Sequence, residues 1–154
     1  MEKFLESGRA RSSGVSNFEI RHLEELRKLS GIIPAVNQIE CHPLCYPREL
    51  IEYCQANGIQ VQAYAPLARV AYLDNCILCV LGTKYAHTPA QIGLLWAVQK
   101  GISVIPKSTR PERIAANARI FDFEIEQEDM DLLDTLNQNY HSSHVPEDLR
   151  DTIF

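Results

Sequence analysis

Short apolar runs alternate along the chain with segments in which apolar residues recur at helical spacing. The first run, residues 10–17, precedes a segment with Ile20, Leu23, Leu26 and Leu29 at positions three residues apart, which predicts a helix ending at Gly31. Further runs over residues 35–40, 59–65 and 102–105 predict three more strands. The pattern therefore predicts four strands, each followed by at least one helix.

Helix start and stop signals place the remaining elements. Pro47 predicts the first turn of a helix closed by Asn57 and Gly58, and residues 75–86 form a further helical segment. Thr88-Pro89-Ala90-Gln91 predicts a helix start, because a hydroxyl cap, a proline and a capping-box glutamine follow in the required order. Helices are also predicted near Pro111 and over residues 126–136, and the chain from residue 139 onward is irregular.

Four strand–helix units in series predict a parallel α/β fold in one domain, residues 1–154. A crossover helix returns the chain to the same end of the sheet, so consecutive strands run parallel. A complete (β/α)₈ barrel of the TIM type takes about 250 residues, and this chain of 154 residues contains half the units. An open doubly wound sheet is the alternative, although no Gly-x-Gly-x-x-Gly follows any predicted strand. The pattern by itself leaves the two architectures undecided.

Composition narrows the class of protein. The net charge of −5 argues against a nucleic-acid binder, and no apolar run reaches the length of a membrane span. The charged N-terminal segment is not that of a secretory signal, and five cysteines without small-scaffold spacing indicate reduced thiols. We therefore expect a cytoplasmic protein that binds neither nucleic acid nor membrane.

Cysteine and histidine residues invite a metal interpretation that their spacing does not favour. Cys76 and Cys79 lie in a predicted helix rather than a zinc knuckle, and no thioredoxin-like pattern surrounds them. His42 is expected to be a hydrogen-bonded structural histidine. No metal site is predicted.

Several motifs in register resemble one protein family. These are residues 14–18 (Gly-Val-Ser-Asn-Phe), 34–43 (Pro-Ala-Val-Asn-Gln-Ile-Glu-Cys-His-Pro), 63–67 (Ala-Tyr-Ala-Pro-Leu), 88–91, 105–108 (Ile-Pro-Lys-Ser), 111–114 and 121–124. In order and spacing the chain resembles the aldo-keto reductases, in particular the branch of diketogluconate reductases and prostaglandin F synthases. The resemblance implies a (β/α)₈ barrel of which this chain carries the C-terminal half, strands five to eight.

The resemblance also implies NADP(H) as cofactor. The cofactor-binding residues that it implies are Ser16, Asn17, Gln38, Tyr64, Leu67, Lys107, Ser108, Thr109, Arg113 and Asn117. The first three would hydrogen-bond the nicotinamide carboxamide and Tyr64 would stack on the nicotinamide ring. Lys107, Ser108 and Arg113 would hold the 2′-phosphate, and Asn117 would contact the adenine.

Each assignment has a structural alternative. Ser16 and Asn17 could cap the following helix, and Tyr64 could be a core aromatic. Lys107 and Arg113 could be solvated surface charges. Two departures from the family also bear on the site: Ser13 weakens the first strand, and residues 68–70 (Ala-Arg-Val) replace a loop that usually contains glycine.

No catalytic residue is predicted, because the family's tyrosine, lysine, aspartate and histidine would lie on the first half of the barrel. Three hypotheses follow: part of a carbonyl reductase that acts on a small-molecule carbonyl once the other half is supplied, a non-catalytic NADP(H)-binding module, or a degenerate chain without a stable fold. Two unpaired sheet edges would favour self-association.

Overall fold

The computed structural model describes residues 2–143, which form helices, strands and one short 3₁₀ turn. The strands are β1 (Gly14–Ser16), β2 (Val36–Glu40), β3 (Gln60–Tyr64) and β4 (Ser103–Val104). The helices are α1 (Glu2–Glu6), α2 (Ile20–Ser30), α3 (Arg48–Ala56), α4 (Cys76–Tyr85), α5 (Pro89–Gln99), α6 (Pro111–Ala118) and α7 (Gln127–Asp134), and the 3₁₀ turn is Ala68–Val70. No helix within residues 2–143 is long and apolar enough to cross a membrane.

The four strands form one parallel sheet in the order β1-β2-β3-β4. In the pairing of β1 with β2, Gly14 lies opposite Val36 and Ser16 lies opposite Gln38. Strand β3 joins β2 through the Gln60 amide, which donates to the Ala35 carbonyl, and β4 joins β3 through the Ile105 amide and the Ala63 carbonyl. The predicted parallel α/β fold is confirmed, and the sheet order equals the chain order.

The strands are shorter than the sequence predicts. Strand β1 has three residues where the prediction spans residues 10–17, and the preceding Arg11, Ser12 and Ser13 are residue types with little preference for a sheet. At Gly14 an added Cβ would lie 3.2 Å from the Val36 carbonyl oxygen, which is closer than ordinary van der Waals contact. Glycine at this position therefore lets the backbones of β1 and β2 approach closely.

The predicted helix ends at α2 and α5 are confirmed. Gly31 follows α2 in the left-handed conformation, with φ of 69°, and its amide donates to the Arg27 carbonyl. At the start of α5 the Thr88 hydroxyl accepts a hydrogen bond from the Gln91 amide, and the Gln91 side chain accepts one from the Thr88 amide. Both ends are therefore specified by local chemistry.

The chain divides into two compact units. The first comprises residues 2–39 and 48–62, and the second comprises residues 40–47 and 63–143. In the first unit the core includes Leu23, Ile51 and Val61. In the second unit α5 is buried on all sides over residues 91–97, and its Trp96 is fully buried with the indole N–H donating to Asp134 at 2.8 Å.

Candidate functional site

The three residues that the resemblance assigns to the nicotinamide carboxamide lie at the end of β1 and in the middle of β2, in the first unit. The Ser16 hydroxyl donates to the Gln38 carbonyl at 3.0 Å, and the Asn17 amide donates to the same oxygen at 2.9 Å. Asn17 has a φ of 57°, a left-handed conformation that asparagine tolerates well. The Gln38 side chain donates to the Gln62 side chain at 2.6 Å, which fixes its amide group. The structure thus brings Ser16, Asn17 and Gln38 together.

Ser16 and Asn17 do not cap helix α2. The N-cap residue is Glu19, whose side chain accepts from the His22 amide, while the His22 ring accepts from the Glu19 amide at 3.0 Å. The capping alternative for Ser16 and Asn17 is therefore wrong: the Glu19–His22 pair already satisfies the first turn.

Tyr64, at the end of β3, belongs to the second unit and is half-buried. The segment that follows it has unusual backbone geometry. Ala65, Ala68, Arg69 and Val70 all have positive φ, and the Val70 value of 72° is costly for a β-branched residue. This is the segment in which the sequence replaces the glycine-containing loop of the family, so the left-handed conformation persists without glycine.

A buried tyrosine holds this segment in place. The Tyr72 hydroxyl donates to the Pro66 carbonyl at 2.7 Å, and Tyr72 itself is 1% exposed. Burial raises the pKa of Tyr72, so the hydroxyl stays a donor. The ring lies against Gly93 of α5, where an added Cβ would collide with the tyrosine hydroxyl. The close approach of α5 therefore positions the strained segment.

Next to this segment the second unit contains a pocket of about 500 Å³. Leu67, Val70 and Leu73 form an apolar wall. The lining also includes polar groups from the segment after β4 and from α6, namely Lys107, Ser108, Arg113 and Asn117. Thr88, Pro89, Ala90 and Ala116 complete the lining. Five of the ten predicted cofactor-binding residues therefore line one pocket.

The pocket carries two cations without carboxylate partners. Lys107 and Arg113 are exposed, and neither forms an ion pair with any carboxylate within residues 2–143. The Ser108 hydroxyl accepts from the Arg110 amide at 3.1 Å, which turns the chain into the first turn of α6. Pro111 is at the first helical position, so the N-terminus of α6, which is the positive end of the helix dipole, follows shortly after Ser108. The arrangement is suited to an anionic group.

Two apolar residues of the pocket lining, Val70 and Leu73, are not among the predicted cofactor-binding residues. Val70 belongs to residues 68–70, which depart from the family's usual loop, whereas Leu73 has no sequence signal beyond its proximity to the 63–67 motif. Thr109 is exposed and does not line the pocket, and neither does Tyr64. Gln62, the partner of Gln38, was also missed, although both glutamines lie near the ends of consecutive predicted strands.

A buried carboxylate in the second unit organises a separate polar cluster. The Glu40 side chain is 2% exposed and accepts from the Ser142 amide at 2.8 Å and from the Ser142 hydroxyl. His42 and His141 lie 3.3 Å and 3.2 Å from its two oxygens. Burial raises the pKa of Glu40, but the hydrogen bonds from Ser142, His141 and His42 outweigh it, so the net shift is downward.

His42 is a structural residue, as the sequence predicts. Its side chain is fully buried and hydrogen-bonds Glu40 through Nε2, while its Nδ1 atom has no hydrogen-bond partner among the described residues. Burial lowers the pKa of His42, which keeps the ring neutral. Within residues 2–143, no group of three or more histidine, cysteine or acidic side chains could hold a metal ion.

The fold and the pocket define a parallel α/β protein with a cation-lined pocket after its last strand. The chain belongs to the aldo/keto reductase family, whose sequence profile matches residues 1–138. The match agrees with the family that the motifs indicate, although the assignment to a particular branch stays a prediction.

Known proteins of the same family match nearly the whole chain. Glyoxal reductase of Bacillus subtilis is 45% identical over 149 residues, covering 97% of this chain and 54% of that protein. Human aldo-keto reductase family 1 member A1 is 37% identical over 150 residues, covering 91% of this chain and 46% of that protein. The chain thus spans about half the length of the curated relatives it matches.

Solved structures show the same fold. An aldo-keto reductase complexed with NADPH superposes with a TM-score of 0.86 at 34% identity, covering 93% of this chain and 47% of that one. Gox0644, solved in its apo form, gives a TM-score of 0.89 at 34% identity, covering 95% of this chain and 54% of the other. The predicted fold class is confirmed: the chain corresponds to about half of a TIM-type barrel.

Proposed function

We propose that the pocket of the second unit binds the 2′-phosphate and adenosine end of NADP(H), and that the chain is part of an NADP(H)-dependent carbonyl reductase. The observation that carries this proposal is that Lys107 and Arg113 line one pocket and neither forms an ion pair with a carboxylate of residues 2–143. Two cationic side chains that converge on one concavity, together with polar groups, favour an anionic ligand there.

The donor set fits the group. A phosphate needs charged donors, and Arg113 offers a planar guanidinium suited to bidentate contact while Lys107 offers a compact ammonium. The Ser108 hydroxyl adds a donor at the start of α6, where the helix dipole favours negative charge. Asn117 supplies an amide, with both donor and acceptor, for an adenine edge. The apolar wall of Leu67, Val70 and Leu73 suits a base or ribose face.

For the nicotinamide end the proposal rests on the family. Ser16, Asn17 and Gln38 would hydrogen-bond the carboxamide, and Tyr64 would stack on the ring. The hydrogen bond from the Gln38 side chain to Gln62 supports this role, because an amide group that is already held in place loses little entropy when it binds a carboxamide.

When bound, NADPH supplies a hydride to a carbonyl carbon. We assign no proton donor to this chain, and the reductase activity belongs to the whole protein. A relative that is a glyoxal reductase and a neighbour solved with NADPH support this class of reaction. All five cysteines lie within residues 2–143 and are free thiols.

The test is a titration of the purified chain with NADPH, followed by cofactor fluorescence, with NADH as the comparison. We expect saturable binding that prefers NADPH. Arg113→Ala should weaken it by about 1.5–3 kcal/mol, which is about ten- to a hundredfold. Arg119→Ala is the matched control, because Arg119 follows the same helix and does not line the pocket.

Equal affinity for NADPH and NADH, or equal effects of the two arginine variants, would refute the 2′-phosphate assignment. Turnover of a carbonyl substrate distinguishes a part of a carbonyl reductase from a non-catalytic NADP(H)-binding module. NADPH binding without turnover by the full-length protein would favour the non-catalytic module.

A further inference from the structure

Two cysteines lie on the surface at the first turn of α4. Cys76 is the first residue of the helix and Cys79 lies one turn further on, and both are exposed thiols. The other three cysteines are buried, and burial raises the pKa of Cys41 and of Cys54, which makes them poor nucleophiles. Thiol chemistry in this part of the chain is therefore confined to one pair.

We propose that Cys76 and Cys79 form a reversible disulfide with low-molecular-weight disulfides as oxidant, and that this disulfide loosens the wall of the cation-lined pocket. The pair does not act on other proteins as a thioredoxin-like oxidoreductase would. Its oxidation modifies this chain and regulates the chain's own pocket.

The two residues are neighbours on the helix surface. Residues three apart on a helix have Cβ atoms about 5–6 Å apart, and a disulfide needs about 3.5–4.5 Å, so the first turn of α4 must tighten for the bond to form. The Cys76 amide is one of the groups without an intrahelical acceptor. Asn75 caps the turn by accepting from the Ile77 amide at 3.0 Å, and the Cys79 amide donates to the Asn75 carbonyl.

The reduced form of Cys79 contacts the segment that forms the pocket wall. Its Sγ donates to the Leu73 carbonyl at 3.7 Å, and Leu73 lines the pocket. A disulfide consumes the S–H group, so this hydrogen bond is lost on oxidation. The released carbonyl belongs to a segment whose Ala68, Arg69 and Val70 already have strained backbone conformations. A small loss of support therefore shifts this segment more than it would shift a relaxed loop.

The exchange balances without a further reactant. The thiolate of one cysteine attacks the small disulfide, forms a mixed disulfide and displaces one small thiolate. The second cysteine then attacks the mixed disulfide and displaces the other. The chain loses two hydrogen atoms, which end on the two small thiols, and a dithiol such as dithiothreitol reverses the reaction.

Formation of the disulfide is tested by treating the folded chain with oxidised glutathione, blocking the remaining thiols with an alkylating agent and analysing the peptides by mass spectrometry. We expect a linkage between Cys76 and Cys79 that dithiothreitol removes. Cys76→Ser and Cys79→Ser should each carry one glutathione instead. Wild-type chain that carries a glutathione on each cysteine, or that remains alkylated on both, would overturn the proposal.

The effect on the pocket wall is measured by hydrogen exchange over residues 66–75. Treatment with oxidised glutathione should speed hydrogen exchange over these residues in the wild type. The same treatment should not change the exchange of the double variant Cys76→Ser/Cys79→Ser. Cys79→Ala removes the S–H donor without a disulfide and should reproduce the faster exchange. Unchanged exchange in the oxidised wild type, or in Cys79→Ala, would show that the thiol does not support the wall.

A consequence for binding rests on the proposed function. Oxidation should weaken NADPH binding about threefold, as expected for the loss of one weak supporting bond. A reduced chain that does not bind NADPH would refute the proposed function, whereas the disulfide and its effect on the wall are decided by mass spectrometry and exchange alone.

Discussion

Glu40 and Ser142 lie 102 positions apart in the sequence and are joined by two hydrogen bonds to a single carboxylate oxygen. The Ser142 amide donates at 2.8 Å and the hydroxyl donates to the same atom. Because the carboxylate is almost fully buried, these bonds replace the water that ionised Glu40 would otherwise need. The C-terminal part of the described chain is therefore attached to the end of β2 through one acidic residue.

Replacing the carboxylate should detach this segment. In Glu40→Gln the amide accepts more weakly and adds an N–H group in a site already filled with donors. We expect a loss of about 1–3 kcal/mol in the free energy of unfolding and faster proteolysis near residue 142. Urea unfolding and limited proteolysis check this. Glu52→Gln, on the exposed side of α3, is the control and should change neither.

Acid should weaken the same region in two steps. The pKa of His42 is lowered from its ordinary value of 6.5, so the unfolded chain binds a proton first and stability falls once the pH drops below about 6.5. The pKa of Glu40 is lowered from 4.5, so its contribution is present above that value and is lost as the pH falls through the folded pKa. Unfolding free energies measured from pH 7.5 to pH 3.5 should decline in both windows. In Glu40→Gln the decline below pH 4.5 should be smaller, and an equal decline would contradict the role of Glu40.

Relieving the strained backbone should stabilise the chain. Val70 has a φ of 72° and its side chain is 58% exposed, so Val70→Gly removes strain and loses little packing. We expect a gain of about 1 kcal/mol in the free energy of unfolding. Val80→Gly is the matched control, because Val80 is 66% exposed within helix α4, where glycine should lower stability by about 0.5 kcal/mol. Thermal melts without ligand measure both changes, and the same sign for both variants would contradict the strain argument.

Self-association is expected from the sheet edges. Strands β1 and β4 are the outermost strands of the sheet formed by residues 2–143, and an edge strand can pair with the edge strand of another chain. We expect a concentration-dependent increase in sedimentation coefficient for the purified chain. A single monomeric species across the concentration range would remove this expectation.

The sequence predicts the elements well and the site only in part. Local signals such as Gly31 and the Thr88–Gln91 pair determine helix ends, and these predictions are confirmed because the chemistry lies within a few residues. The apolar run over residues 10–17 overestimates the length of β1, because pairing with β2 begins only at Gly14, opposite Val36. For the pocket, the motifs predicted five lining residues but not Val70 and Leu73. The positions of these two residues depend on the left-handed backbone of residues 68–70, and a segment without glycine gives no sign of that conformation.

The interaction of Glu40 with Ser142 was out of reach for a similar reason. Glu40 belongs to the 34–43 motif, but Ser142 belongs to no motif and lies 102 positions away, so no local pattern in the sequence pairs the two residues. The cofactor-binding roles of Ser16, Asn17, Gln38 and the residues around Lys107 stay predictions. The structure shows where these residues lie and which of them are charged, and the NADPH titration tests whether they bind the cofactor.

The sheet order bears on how such a chain can be built and rearranged. Every strand lies beside the strands that precede and follow it along the chain. A cut in a connecting loop, an insertion there or a fusion at either end therefore interrupts at most one strand pairing, and the remaining pairs stay intact. This arrangement can therefore be divided or lengthened in steps of one strand and one helix while the order of the remaining strands is kept.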